Sequence, residues 1–95
     1  MGKPTGSSGK YLEIDLGATE PPFTFEEAFR AAYPNTGRQS FVSREILALA
    51  GGGTMVMRDA EGDDVTVTIE ELNSRAVEFV GVVSTSGVSR IAVYL

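Results

Sequence analysis

The sequence predicts an α+β fold: a small single domain with a roughly five-stranded, mostly antiparallel sheet and two helices packed on one face. Three observations carry that expectation. Apolar residues recur at every second position in several short stretches, the period of a half-buried strand. After Thr24 they recur at helical spacing instead, behind a T-x-x-E pair that marks a helix start. The chain has 95 residues, 42% apolar and 22% charged, which suits one globular core and is too apolar for intrinsic disorder.

Residues 1–10, MGKPTGSSGK, offer no apolar anchor and read as a flexible tail, leaving residues 11–95 as the single α+β domain. KYLEIDL alternates Leu12, Ile14 and Leu16 against Tyr11, Glu13 and Asp15, a first strand. A loop, GATEPP, leads to Thr24 and Glu27, the capping box of the first helix. Phe25, Ala28, Phe29, Ala32 and Tyr33 form its apolar stripe, and Pro34 stops it. The spacing then predicts a second helix, capped by Ser40 or Ser43 and running to about Ala50. Val42, Ile46 and Leu49 would form its buried face and Gly51–Gly53 its close.

From Thr54 the period returns to two. TMVMR and VTVTI flank a polar turn and read as a hairpin. Thr68 and Glu71 suggest another capping box and one or two helical turns over IEELN. AVEFVGVV, apolar on nearly both faces, reads as a central strand; STSG turns it into a last strand that buries Ile91, Val93 and Leu95. The expected order is β-α-α-β-β-short α-β-β.

Composition removes much chemistry. There is no cysteine and no histidine, so disulfides, thiolate nucleophiles, imidazole-based triads and the usual zinc, copper and haem ligand sets are excluded. Carboxylates remain. Residues 59–71 hold Asp59, Glu61, Asp63, Asp64, Glu70 and Glu71. Counted from Asp59, a calcium loop would place Glu61, Asp63 and Glu70 at positions 3, 5 and 12, but its sixth position is Asp64 where the bend needs Gly. Its flanks also carry strand rather than helix periodicity. A hairpin turn accounts for the same residues, so no metal and no cofactor is expected.

From Arg58 to Glu78, seven carboxylates and two arginines balance to −5, the net charge of the whole chain. Acidity is therefore concentrated in one segment, which steers a basic partner toward it. Asp59, Glu61, Asp63, Asp64, Glu70 and Glu71 are the candidate partner-binding residues.

Other motifs fail on context. In PTGSSGKY, Pro4 stands where a phosphate loop has its first Gly, and Tyr11 where it has Ser or Thr. Glu26 and Glu27, like Glu70 and Glu71, are adjacent and diverge by about 100° on a helix, so neither pair converges on one bond. No catalytic residue is expected. The N-terminal stretch lacks the apolar core of a secretory signal and no apolar run reaches the ~18 residues of a membrane span, so a cytoplasmic address is expected.

The leading functional expectation is a non-enzymatic protein–protein interaction or assembly module, self-associating through a sheet edge left by the Val-rich C-terminal hairpin. An alternative is a small acidic inhibitor, of the immunity, antitoxin or phage anti-defence kind, that blocks a basic groove of a target protein. A second alternative, a winged-helix-like DNA binder using Arg38 and Arg44, has the net charge against it. The expected partner is a protein with a basic surface or a second copy, rather than nucleic acid or a membrane.

Overall fold

The computed structural model describes residues 11–95; the tail expected over residues 1–10 lies outside them. Among the described residues there are eight strands and one helix: β1 Tyr11–Asp15, β2 Phe23–Thr24, α1 Phe25–Ala32, β3 Glu45–Ala50, β4 Gly53–Arg58, β5 Asp64–Ile69, β6 Ser74–Arg75, β7 Gly81–Ser86 and β8 Arg90–Tyr94. They build two four-stranded antiparallel sheets, ordered β1-β8-β3-β6 and β2-β7-β4-β5. The expected five-stranded sheet with two helices on one face is thus overturned: the molecule is mostly β.

One core serves both sheets. Leu12 and Ile14, Ile46 and Ala48, and Ile91 and Val93 face it from the first sheet, and Met55 and Met57, Ile69 and Val82 from the second. Helix α1 adds Phe25 and Phe29, exposed by 0% and 1%. Two sheets with alternate side chains buried between them is the usual way to hide two apolar faces without helices.

The local signals that held are strongly directional ones. Thr24 accepts a hydrogen bond from Glu27 N–H at 3.1 Å, and Glu27 Oε1 accepts from Thr24 N–H at 2.9 Å, the expected capping box. The helix ends at Tyr33, one residue before Pro34. β4 and β5 form the expected hairpin, six residues paired from Gly53–Ile69 to Arg58–Asp64. Its turn contains Gly62 at φ 92°, as a tight polar connection requires.

The second helix is a strand. EILALA is rich in helix formers, yet Ile46 and Ala48 are buried while Leu47 and Leu49 are half-buried on the other face. Pairing with β8 and β6 on its two sides supplies backbone partners that a solitary helix would have satisfied internally. Ser43 caps nothing. Its N–H donates to Phe79 C=O at 2.8 Å, its Oγ donates to Val77 C=O at 2.6 Å and accepts from Phe79 N–H at 2.9 Å, and the residue is 0% exposed. It stitches the segment before β3 to the irregular run before β7.

The short helix over IEELN is absent as well. Thr68 belongs to β5, Glu71 Oε2 accepts from Gly51 N–H at 2.9 Å instead of reaching Thr68, and Leu72 takes φ 65°, outside the right-handed helical region. AVEFVGVV becomes a strand only from Gly81, and that strand runs on through the expected STSG turn to Ser86, giving way at Gly87.

Gly51–Gly53 carries the chain from β3 in one sheet to β4 in the other, rather than ending a helix. Gly87 does the same in reverse, between β7 and β8. The two crossings lie against each other, with Ser89 N–H donating to Ala50 C=O at 2.9 Å.

Candidate interaction surface

The candidate acidic residues fall into two groups. Asp59, Glu61, Asp63 and Asp64 surround the β4–β5 turn, whereas Glu70 and Glu71 follow the other end of β5. Six residues of strand at about 3.4 Å each separate the groups by roughly 20 Å. The fold therefore brackets one strand with carboxylates instead of gathering them in a single lobe.

At the turn, Asp59 organises the backbone. Its Oδ1 accepts from Glu61 N–H and Asp63 N–H, both at 2.9 Å, while its own N–H donates to Asp63 C=O at 2.9 Å. One carboxylate oxygen each from Asp59, Glu61 and Asp63 lie within 4.8 Å of one another. Asp59 Oδ1 serves the turn, and Glu61 and Asp63 are exposed, as the polar residues of a hairpin connection are. Asp64 pairs with Arg58 at 3.0 Å, both side chains about half exposed. At the far end, Glu70 Oε1 accepts from Asn73 Nδ2 at 3.3 Å and Glu71 holds Gly51.

Between these groups lies an open edge. The Asp59–Asp63 bond fixes the alternation of the hairpin ladder: Val65, Val67 and Ile69 bond to β4, and the N–H and C=O of Asp64, Thr66 and Thr68 point the other way. Among the described residues no strand pairs with that outer side. Arg75 Nη1 reaches the Thr68 C=O at 3.0 Å, leaving the stretch around Thr66 uncovered. Asp64, Val65, Thr66 and Thr68 are exposed, Val65 by 38%.

The two strands of the expected C-terminal hairpin belong to different sheets and do not pair with each other. β8 lies between β1 and β3 and β7 between β2 and β4, with β2 covering β7 only at Gly81 and Val82. The helix pair of the winged-helix alternative is missing too. Arg38 instead stacks its guanidinium 5.6 Å from the Phe29 ring centre and donates to Ser40 C=O at 3.2 Å, and the Arg44 N–H donates to Tyr94 C=O.

Sequence reasoning missed Leu72. It is 70% exposed and sits at φ 65° beside Glu70 and Glu71. A left-handed leucine costs roughly 1–2 kcal/mol, and exposing its side chain returns nothing to the fold. Leu72→Asn, which tolerates that conformation, is expected to stabilise the protein by about 0.5–1 kcal/mol, read as a melting temperature higher by about 2–8 °C. A lower melting temperature would show that the leucine side chain supports the fold.

A shallow cleft of about 560 Å³ separates β1 from α1 and is lined by Glu13, Asp15 and Glu27 above Ala28, Ala31 and Ala32. Two of these carboxylates serve local structure: Asp15 Oδ1 accepts from Gly17 N–H at 2.9 Å, and Glu27 completes the helix cap. The buried hydroxyl of Ser43 is committed at both its donor and its acceptor side, which removes it as a nucleophile. Among the described residues, no helix is long and apolar enough to cross a membrane. No protein-family model matches the chain, and no curated protein or solved structure is similar to it.

Proposed function

We propose that the protein is a non-enzymatic protein–protein interaction module whose contact element is the outer edge of β5. The observation that supports this most directly is the stretch around Thr66: backbone N–H and C=O groups that point away from β4, in a Val/Thr-rich strand with no Lys or Pro to blunt it. An added strand satisfies those groups and covers Val65. Main-chain hydrogen bonds would supply affinity, and the side chains alternating along the edge would supply selectivity.

A single substitution separates this role from the fold. The Thr66 N–H takes no part in the β4–β5 ladder, so Thr66→Pro removes a donor only from the outer side, the position where an edge strand tolerates proline. With the peptide acetyl-Lys-Val-Thr-Val-Thr-Val-Lys-amide as probe, hydrogen exchange followed by NMR is expected to show the Thr66 amide becoming protected on binding. Thr66→Pro should keep the native spectrum elsewhere and lose at least about 90% of the binding, in line with loss of the central main-chain bonds of an added strand. Chemical-shift changes confined to other strands, or undiminished binding by Thr66→Pro, would refute the assignment.

A further inference from the structure

We infer that the segment added to β5 carries cationic side chains at both ends and comes from a different protein rather than from a second copy of this chain. The inference rests on the strand-addition reading and adds partner chemistry to it.

Its basis is the charge pattern along the edge. Val65 to Ile69 contains no charge, while Asp59, Glu61, Asp63 and Asp64 stand at one end and Glu70 and Glu71 at the other. Every one of these residues except half-buried Asp59 is exposed. Among the described residues, Arg58 and Arg75 adjoin this edge. Arg58 is taken by Asp64 at 3.0 Å, and Arg75 is aimed at the Thr68 carbonyl. An excess of negative charge is left at both ends, larger at the turn. A strand that pairs along the whole of β5 must finish beside both groups, because its rise per residue matches that of β5. Lysine or arginine at those two places meets opposite charge at each; aspartate or glutamate meets like charge at each.

The same pattern works against a second copy. The outward-facing bonding groups belong to Asp64, Thr66 and Thr68, so antiparallel self-pairing has three close registers. Centred on Thr66, the register sets Asp63 opposite Ile69 of the second copy, beside its Glu70. Centred on Val65, it carries the end of the second copy's β5, and Glu70 beyond it, alongside the turn that holds Glu61 and Asp63. Centred on Val67, it sets Asp64 opposite Glu70 of the second copy. Two-fold symmetry repeats each clash. Any of them adds to the repulsion between two chains of net charge −5.

Three peptides share the core Val-Thr-Val-Thr-Val and differ in their flanks: two lysines, two glutamines or two glutamates at each end. At about 20 mM salt, where the Debye length exceeds 20 Å, the lysine-flanked peptide is expected to bind about tenfold tighter than the glutamine-flanked one, and the glutamate-flanked peptide more weakly still. At about 0.5 M salt the differences should shrink to within about twofold. The variant Glu61→Gln/Asp63→Asn/Glu70→Gln should bind the lysine- and glutamine-flanked peptides alike. Equal affinity of the three peptides for the wild-type chain, with the Thr66 amide protected by each, would overturn the charge inference and leave strand addition standing. Failure of all three to protect that amide would remove strand addition itself. A dimer seen by sedimentation at about 20 mM salt and abolished by Thr66→Pro would overturn the exclusion of a second copy.

Discussion

Gly53→Ala is expected to destabilise the protein by about 3 kcal/mol or more, a fall in melting temperature on the order of 12–24 °C for a domain of this size. A β-carbon on Gly53 would lie 2.1 Å from the Ser86 carbonyl oxygen and 3.1 Å from its carbonyl carbon. The obstacle is backbone, so no rotamer change relieves it. The clash can be relaxed only by separating the two crossings that carry the chain between sheets, and with them the ends of β4 and β7. Gly87 meets the same restriction from the opposite side, 2.4 Å from the Gly52 carbonyl oxygen at φ 95°. Gly37 provides the control: a β-carbon there meets nothing within 4 Å, so Gly37→Ala should leave stability within about 0.5 kcal/mol of wild type. Thermal unfolding of the two variants side by side checks the claim, and a Gly53→Ala midpoint within a few degrees of wild type would show that the crossings can part cheaply.

Ser43→Ala is expected to cost about 2–4 kcal/mol, measured by urea unfolding. The hydroxyl donates to Val77 C=O and accepts from Phe79 N–H at a position with no solvent exposure. Deleting it strands a buried N–H and a part-buried C=O at once, each with a desolvation penalty of roughly 1–3 kcal/mol, partly offset by whatever water the vacated site admits. Ser40, the other candidate cap of the expected second helix, is exposed, so Ser40→Ala should be close to neutral. A helix beginning at either serine would make the two substitutions comparable; the observed stitch makes them differ by more than about 1.5 kcal/mol.

These two positions also show where the sequence ceased to be informative. Elements defined by contacts within a few residues were readable. Thr24 and Glu27 sit three apart and cap each other; Val65, Val67 and Ile69 alternate in a hairpin closed by a polar turn with Gly62. Elements defined by distant partners were not. EILALA has apolar residues at both helical and strand spacings, and the decision came from β8 and β6, which lie far off in sequence. Ser43 is correctly marked as a serine that bonds to backbone, but its acceptor and donor are Val77 and Phe79 rather than the residues next to it. The acidic residues were legible as a set. Their division was implicit in the readable hairpin, since Asp64 and Glu70 stand at the two ends of VTVTI; that this strand lies at the end of its sheet was not, because strand order depends on distant partners. The sheet edge was sought in the most Val-rich segment for a sound reason, and strand order split that segment between two sheets, with neighbours on both sides of β8 and of the start of β7, and set β5 at the end of its sheet.

The position of β8 has a consequence for how the chain comes together. β1 and β3 share no hydrogen bonds with each other; β8 joins them and is the sole strand that pairs with β1, with Tyr11 beside Tyr94 and Glu45 on its other flank. On the ribosome, where roughly 5–20 residues are added per second, the apolar side chains of β1 would emerge several seconds before the strand that shelters them. Closure of so long a loop is a slow step, and chaperones that bind exposed extended segments have that interval in which to act.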